Sequence, residues 1–80
     1  MNNKCKDFPQ YRVLSGRKVY YKIVSDGQFI ELSWIGEKPV KYIVTAVQYP
    51  ERLRIMDMLA CEPPYELLQD GDAEQLNFGD

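Results

Sequence analysis

Carboxylates recur at alternate positions in the stretch "DGDAEQLNFGD", where Asp70, Asp72 and Glu74 have the spacing that opens a calcium loop. Gln75 stands where such a loop needs its turn glycine, so the stretch reads as solvated acidic chain and not as a metal site. The remaining reactive residue types are sparse. There is no histidine, which removes the Ser–His and Cys–His pairs of most nucleophilic enzymes and the commonest metal ligand. Cys5 and Cys61 stand alone, with no CxxC and too few partners for zinc. The glycines are scattered through turns and form no phosphate-binding loop. Paired carboxylates occur only near the C-terminus, where no apolar run offers a pocket to raise a pKa. The sequence is therefore expected to encode neither a catalytic nor a metal centre, to need no cofactor, and to act by binding.

Two binding chemistries are written into it. Residues 1–61 carry all ten Lys and Arg against six acids, a balance of +4, while residues 62–80 carry the other six acids and no base. An acidic segment behind a mildly basic body points to a basic protein partner. Leu76 and Phe78 are the hydrophobes of that segment, and Val24, Phe29 and Val47 are expected to form a second apolar cluster on the less covered face of a sheet. These five residues are the candidate protein-contact set; a homodimer through a sheet edge or face is a further option. The alternative is single-stranded nucleic acid. Arg17, Lys18, Lys22 and Lys41, interleaved with Tyr20 and Tyr42, combine phosphate-neutralising charge with stacking rings.

The elements that must position these residues follow from pattern. In "VYYKIVSDGQFIELSW", Asp26-Gly27 between two β-rich runs predicts a two-residue hairpin turn with φ > 0 at both central positions. That turn pairs Val24 with Phe29, Lys22 with Glu31 and Tyr21 with Leu32, and gathers Val19, Tyr21, Ile23, Ile30, Leu32 and Trp34 on one face. "VKYIVTAVQ" (Val40–Gln48) reads as a third strand whose register the loop before it leaves open. Tyr11–Leu14, before Ser15-Gly16, reads as a short edge strand. The period then changes. "PERLRIMDMLAC" has proline and glutamate in a first helical turn, with Leu53, Met56, Leu59 and Ala60 at helical spacing and Ile55 alongside. Pro63-Pro64 stops it, and Tyr65, Leu67 and Leu68 return apolar surface to the sheet.

The expected architecture is α+β: an antiparallel meander of three or four strands with one C-terminal helix (50–61) packed on one face. Residues 1–69 form the single small domain and residues 70–80 a flexible acidic tail. Eighty residues bury only about 60% of their unfolded surface, so the core must be small. The N-terminus has no apolar leader and no run is long enough to span a membrane, so a cytoplasmic chain with reduced thiols is expected.

Overall fold

The computed structural model describes residues 8–68, 70–76 and 78. Five antiparallel strands form one sheet in the order β4-β3-β2-β1-β5, and a helix covers one face, so the class is α+β. The strands are β1 (Gln10–Leu14), β2 (Tyr20–Ser25), β3 (Gln28–Ile35), β4 (Lys38–Thr45) and β5 (Tyr65–Leu67). Helix α1 (Tyr49–Leu59) sits between β4 and β5, and a short helix α2 (Asp70–Glu74) follows. The sheet thus has one strand more than the expected maximum of four, and α1 is not the last element. β5 was not foreseen because "YEL" is too short to announce itself; it exists by pairing with β1, Arg12 opposite Leu67 and Leu14 opposite Tyr65. This makes β1 an interior strand, not an edge.

The β2–β3 hairpin forms, but one residue out of the expected register. Ser25 still faces Gln28, whereas Ile23 now faces Phe29, Lys22 faces Ile30 and Tyr21 faces Glu31, leaving Val24 as a bulge. The turn is the cause. Neither Asp26 nor Gly27 has positive φ, so this is not the primed turn that matches strand twist directly. Ser25 Oγ instead accepts the Gly27 N–H (3.1 Å) and holds a tight local turn. The extra residue of the bulge lets the strands resume pairing. β3 is apolar at both parities, so the slip exchanges one apolar set for another: Phe29 joins Tyr21 and Ile23, while Ile30, Leu32 and Trp34 move to the opposite face with Tyr20 and Lys22.

The open register of β4 is settled by Gly36, which adopts φ 64° at the first position of a two-residue Gly36-Glu37 turn and sets Ile35 opposite Lys38 and Ser33 opposite Val40. Pro39 is accommodated because β4 is an edge strand.

Helix α1 starts with Pro50 in its first turn, and Glu51 Oε1 accepts the Gln48 backbone N–H (3.2 Å). Ile55 and Met58 are its buried residues, packed with Tyr21, Ile23, Phe29 and Ala46 into the core. Of the spacing read from the sequence as the packed side, Leu59 meets the core, whereas Leu53, Met56 and Ala60 point to solvent. The helix ends in a Schellman arrangement: Cys61 N–H donates to Met58 O (3.1 Å) and Glu62 N–H to Asp57 O (2.9 Å). Cys61 occupies the left-handed position (φ 56°), which glycine takes without steric penalty. Cys61→Gly is accordingly expected to stabilise the protein by about 1 kcal/mol, read as a higher urea midpoint at unchanged slope.

Candidate functional site

The helix-covered face is built around an arginine. Arg12, at the centre of β1, is buried with its guanidinium beneath the C-terminal end of α1. Its Nε donates to Met58 O (2.7 Å) and Nη2 to Leu59 O (3.3 Å), while Nη1 reaches Tyr11 O (2.7 Å) and Nη2 also reaches Gln10 Oε1 (2.7 Å). The last turn of α1 contains no basic residue. Arg12 therefore supplies, from a neighbouring strand, the positive charge that the carbonyl end of a helix favours.

A second polar group lies at the β2–β3 side of the same face. Tyr21 Oη donates to Glu31 Oε2 (3.1 Å), and Arg54 Nη2 stands 4.0 Å from that oxygen. The Arg54 guanidinium lies over the Phe29 ring at 5.1 Å and the Tyr21 ring at 5.9 Å, and Tyr65 meets Tyr21 edge-on at 5.5 Å. Burial, then the charge and hydrogen bond of Glu31, push the Tyr21 phenol from 10.0 up to about 12. A phenol so firmly protonated is no proton donor or base near neutrality, and the group acts as a rim that seals the core. The folded chain holds this proton more tightly than the unfolded chain. Its stabilising effect is complete below about pH 10 and is lost as pH rises toward about 12, because the unfolded phenol ionises first. Between about pH 9 and about pH 12 wild type should lose stability more steeply than Tyr21→Phe in urea titrations; equal slopes would contradict this linkage.

The second face is covered in part by the chain's own C-terminal segment. Phe78 is buried and its ring stands 5.8 Å from that of Tyr11; Ala73 of α2 is also buried, as is Leu32 on this face. Leu76 and Asp72 line a cleft with Tyr20, Leu68 and Gln75. Within the stretch expected as a flexible acidic tail, Ala73 and Phe78 are buried and Leu76 half-buried, while Gly71, Asp72 and Gln75 are exposed. Tyr11 and Tyr20, turned to this face by the register and half-buried, give its hydrophobes something to cover. Asp70–Glu74 is helical and not the extended loop a calcium ligand set requires. Among the described residues, no three His, Cys, Asp or Glu side chains come close enough to hold a metal ion. Cys61 is a free thiol, and Cys5 lies outside the described residues.

The expected contact set is consequently divided. Phe29 is in the core under α1, because the bulge at Val24 turns it to that face; Val24 itself is half-buried, and Val47 is exposed beyond β4. Leu76 is half-buried and Phe78 buried on the second face. Of the basic, aromatic set, Tyr20, Lys22 and Lys41 do share the second face, with Leu32 between Tyr20 and Lys41. Lys18 Nζ lies 4.8 Å over the Trp34 ring, and Tyr20 meets that ring edge-on at 5.8 Å. Tyr42 is opposite Glu31 and so belongs to the other face, while Arg17 is exposed in the β1–β2 turn.

What remains open is the β4 side of the sheet. β4 has no neighbour beyond it among the described residues. Along and beside it Ile35, Tyr42, Ile43 and Val47 are 72%, 61%, 68% and 75% exposed, an accumulation of large apolar side chains on a sheet margin. Ile43 and Ile35 were missed from the sequence because a strand's place at an edge is decided by topology, not by its own residues. No helix is long and apolar enough to cross a membrane among the described residues. No known protein family matches the chain, and comparisons with curated proteins and with solved structures give no match.

Proposed function

We propose that the chain is a small non-enzymatic binding module whose partner is another protein, engaged along the β4 edge. The observation that carries this reading is the eight-residue strand β4, unpaired on its outer side and flanked by exposed Ile35, Tyr42, Ile43 and Val47. An extended segment added there would gain main-chain hydrogen bonds, and the exposed side chains would supply the selectivity. Exposed Lys38 and Lys41 on β4 suit an acidic segment. The acidic side chains Glu62 and Glu66 lie at the opposite edge, before and on β5, where a basic surface of the same or another partner would be drawn. Affinity capture with wild-type chain and with Ile43→Asp tests the edge. A partner retained by the wild type and lost by the variant, at unchanged thermal stability of the bait, supports the proposal; the same proteins recovered on both baits would sink it.

A specific observation also favours a second reading. Lys18 and Tyr20 contact Trp34 on the second face, where Lys22 and Lys41 also lie, opposite Ile30 and Leu32, a combination of charge and rings that suits single-stranded nucleic acid. Titration with labelled oligonucleotides at low and at moderate salt separates the two. Absence of binding at both salt levels removes the nucleic-acid reading.

A further inference from the structure

Helix α1 carries apolar residues on two sides. Ile55 and Met58 serve the core, and the outward side presents Tyr49, Leu53 and Met56 at 70%, 37% and 60% exposure, with Ala60 exposed beyond them. Their spacing of four, three and four positions is that of alternating seam positions in a paired helix. A helix that had only the sheet to pack against would carry polar residues there. The stripe also borders a groove of about 330 Å³ beside the β2–β3 turn, lined by Ile55 and Leu59 with Tyr49 and Met56 and by the charged Arg52 and Asp26.

The charges beside the stripe identify its occupant. Arg52 lies on one flank and Asp57 on the other; both are exposed, and neither forms an ion pair among the described residues. When two identical helices pair in parallel, a flanking residue on one meets the residue five positions later on the other's facing flank. When they pair antiparallel, each flank meets its own copy. Arg52 and Asp57 are five positions apart. Parallel pairing therefore makes two symmetric Arg52–Asp57 contacts between copies, whereas antiparallel pairing sets Arg52 against Arg52 and Asp57 against Asp57. The sheet lies on the far side of α1, against Ile55 and Met58.

We propose that α1 is a self-association surface on which a second copy of this chain docks, helix parallel to helix, about a two-fold axis. The surface is separate from the β4 edge, so the proposal stands whether or not that edge binds a protein. Eleven residues give a seam only about 16 Å long, so the dimer is weak and forms in the upper micromolar range.

Sedimentation equilibrium on the full chain, from about 10 to about 500 µM, gives the test, with circular dichroism confirming that each variant folds. Wild type is expected to show a reversible monomer–dimer equilibrium. Met56→Glu, at an exposed position, should abolish it without lowering the unfolding midpoint. Arg52→Asp alone and Asp57→Arg alone should each weaken dimerisation by about tenfold, and the double swap R52D/D57R should restore it to within about threefold. A wild type that stays monomeric throughout overturns the proposal, as does a dimer indifferent to Met56→Glu. A double swap that fails to restore dimerisation overturns the parallel arrangement on which the choice of a second copy rests.

Discussion

Replacing Arg12 with methionine should lower stability by about 3 kcal/mol, although the new side chain matches the apolar stem in length. Exchanging a buried ion pair for hydrophobic residues is often harmless because both charges leave together. Here the acceptors cannot leave. Three of the four are backbone carbonyls, at Tyr11, Met58 and Leu59, and two of these are orphan groups of the α1 terminus. Met58 O keeps the Cys61 N–H and Tyr11 O a longer contact from Leu68 (3.4 Å), but Leu59 O and Gln10 Oε1 lose the donor that Arg12 provides. Arg12→Lys is expected to recover less than half of the loss, because a single ammonium cannot span acceptors that a planar fork reaches from three nitrogens. Urea unfolding of the two variants checks both statements. A methionine variant within about 0.5 kcal/mol of wild type would show that water replaces the guanidinium without cost.

Phe29→Ala carries the second large expectation, a loss of about 4 kcal/mol. Phe29 is among the largest fully buried side chains, enclosed by Tyr21, Ile23 and helix α1, with the Arg54 guanidinium over its ring. Removing a ring from so closed a site leaves a cavity that neighbours in regular strands cannot collapse to fill. For an 80-residue domain this approaches the whole margin of stability. Tyr42→Ala, at an aromatic residue on the same face but largely exposed, is expected to stay within about 0.5 kcal/mol. Thermal melts of the pair distinguish a residue that holds the fold from one that is free to meet a partner. A Phe29→Ala protein that melts like wild type would mean that Phe29 is a contact residue after all.

That contrast bears on what the sequence could disclose. Asp26-Gly27 announced the β2–β3 hairpin, and the change of period at Pro50 announced α1, because both signals are local. The pairing inside the hairpin is not fixed by the Asp26-Gly27 dipeptide. It depends on whether Ser25 captures the Gly27 N–H, and with Phe29 on one parity of β3 and Ile30, Leu32 and Trp34 on the other, either register buries apolar surface. Helix α1 posed the same ambiguity, since both its Ile55–Met58 side and its Leu53–Met56 side are apolar and only packing against a specific sheet face separates them. The candidate contact residues suffered most: their grouping rested on the register, so a slip of one position sent Phe29 inward and left Val47 outside. Arg12 was legible in principle. The last turn of α1 offers no base to its own carbonyl end, and an interior-facing arginine on a nearby strand was the available remedy.

The placement of β1 between β2 and β5 also sets how the chain reaches its fold. β1 and β2 are joined by a short turn, and so are β2 and β3, and β3 and β4; such neighbours find each other quickly. The contacts of β1 with α1 and β5 span 46 positions or more, from Arg12 to Met58 and on to Leu67. A four-stranded intermediate would therefore expose an unpaired β1 edge, and Arg12 would have no helix terminus to meet. Closure of that long loop, with its entropic cost, is the natural barrier to folding. Interactions made across it should form late and act mainly on the unfolding rate. The kinetic lifetime of this small domain is then set where its first strand meets its last, not in the hairpin that its sequence declares most clearly.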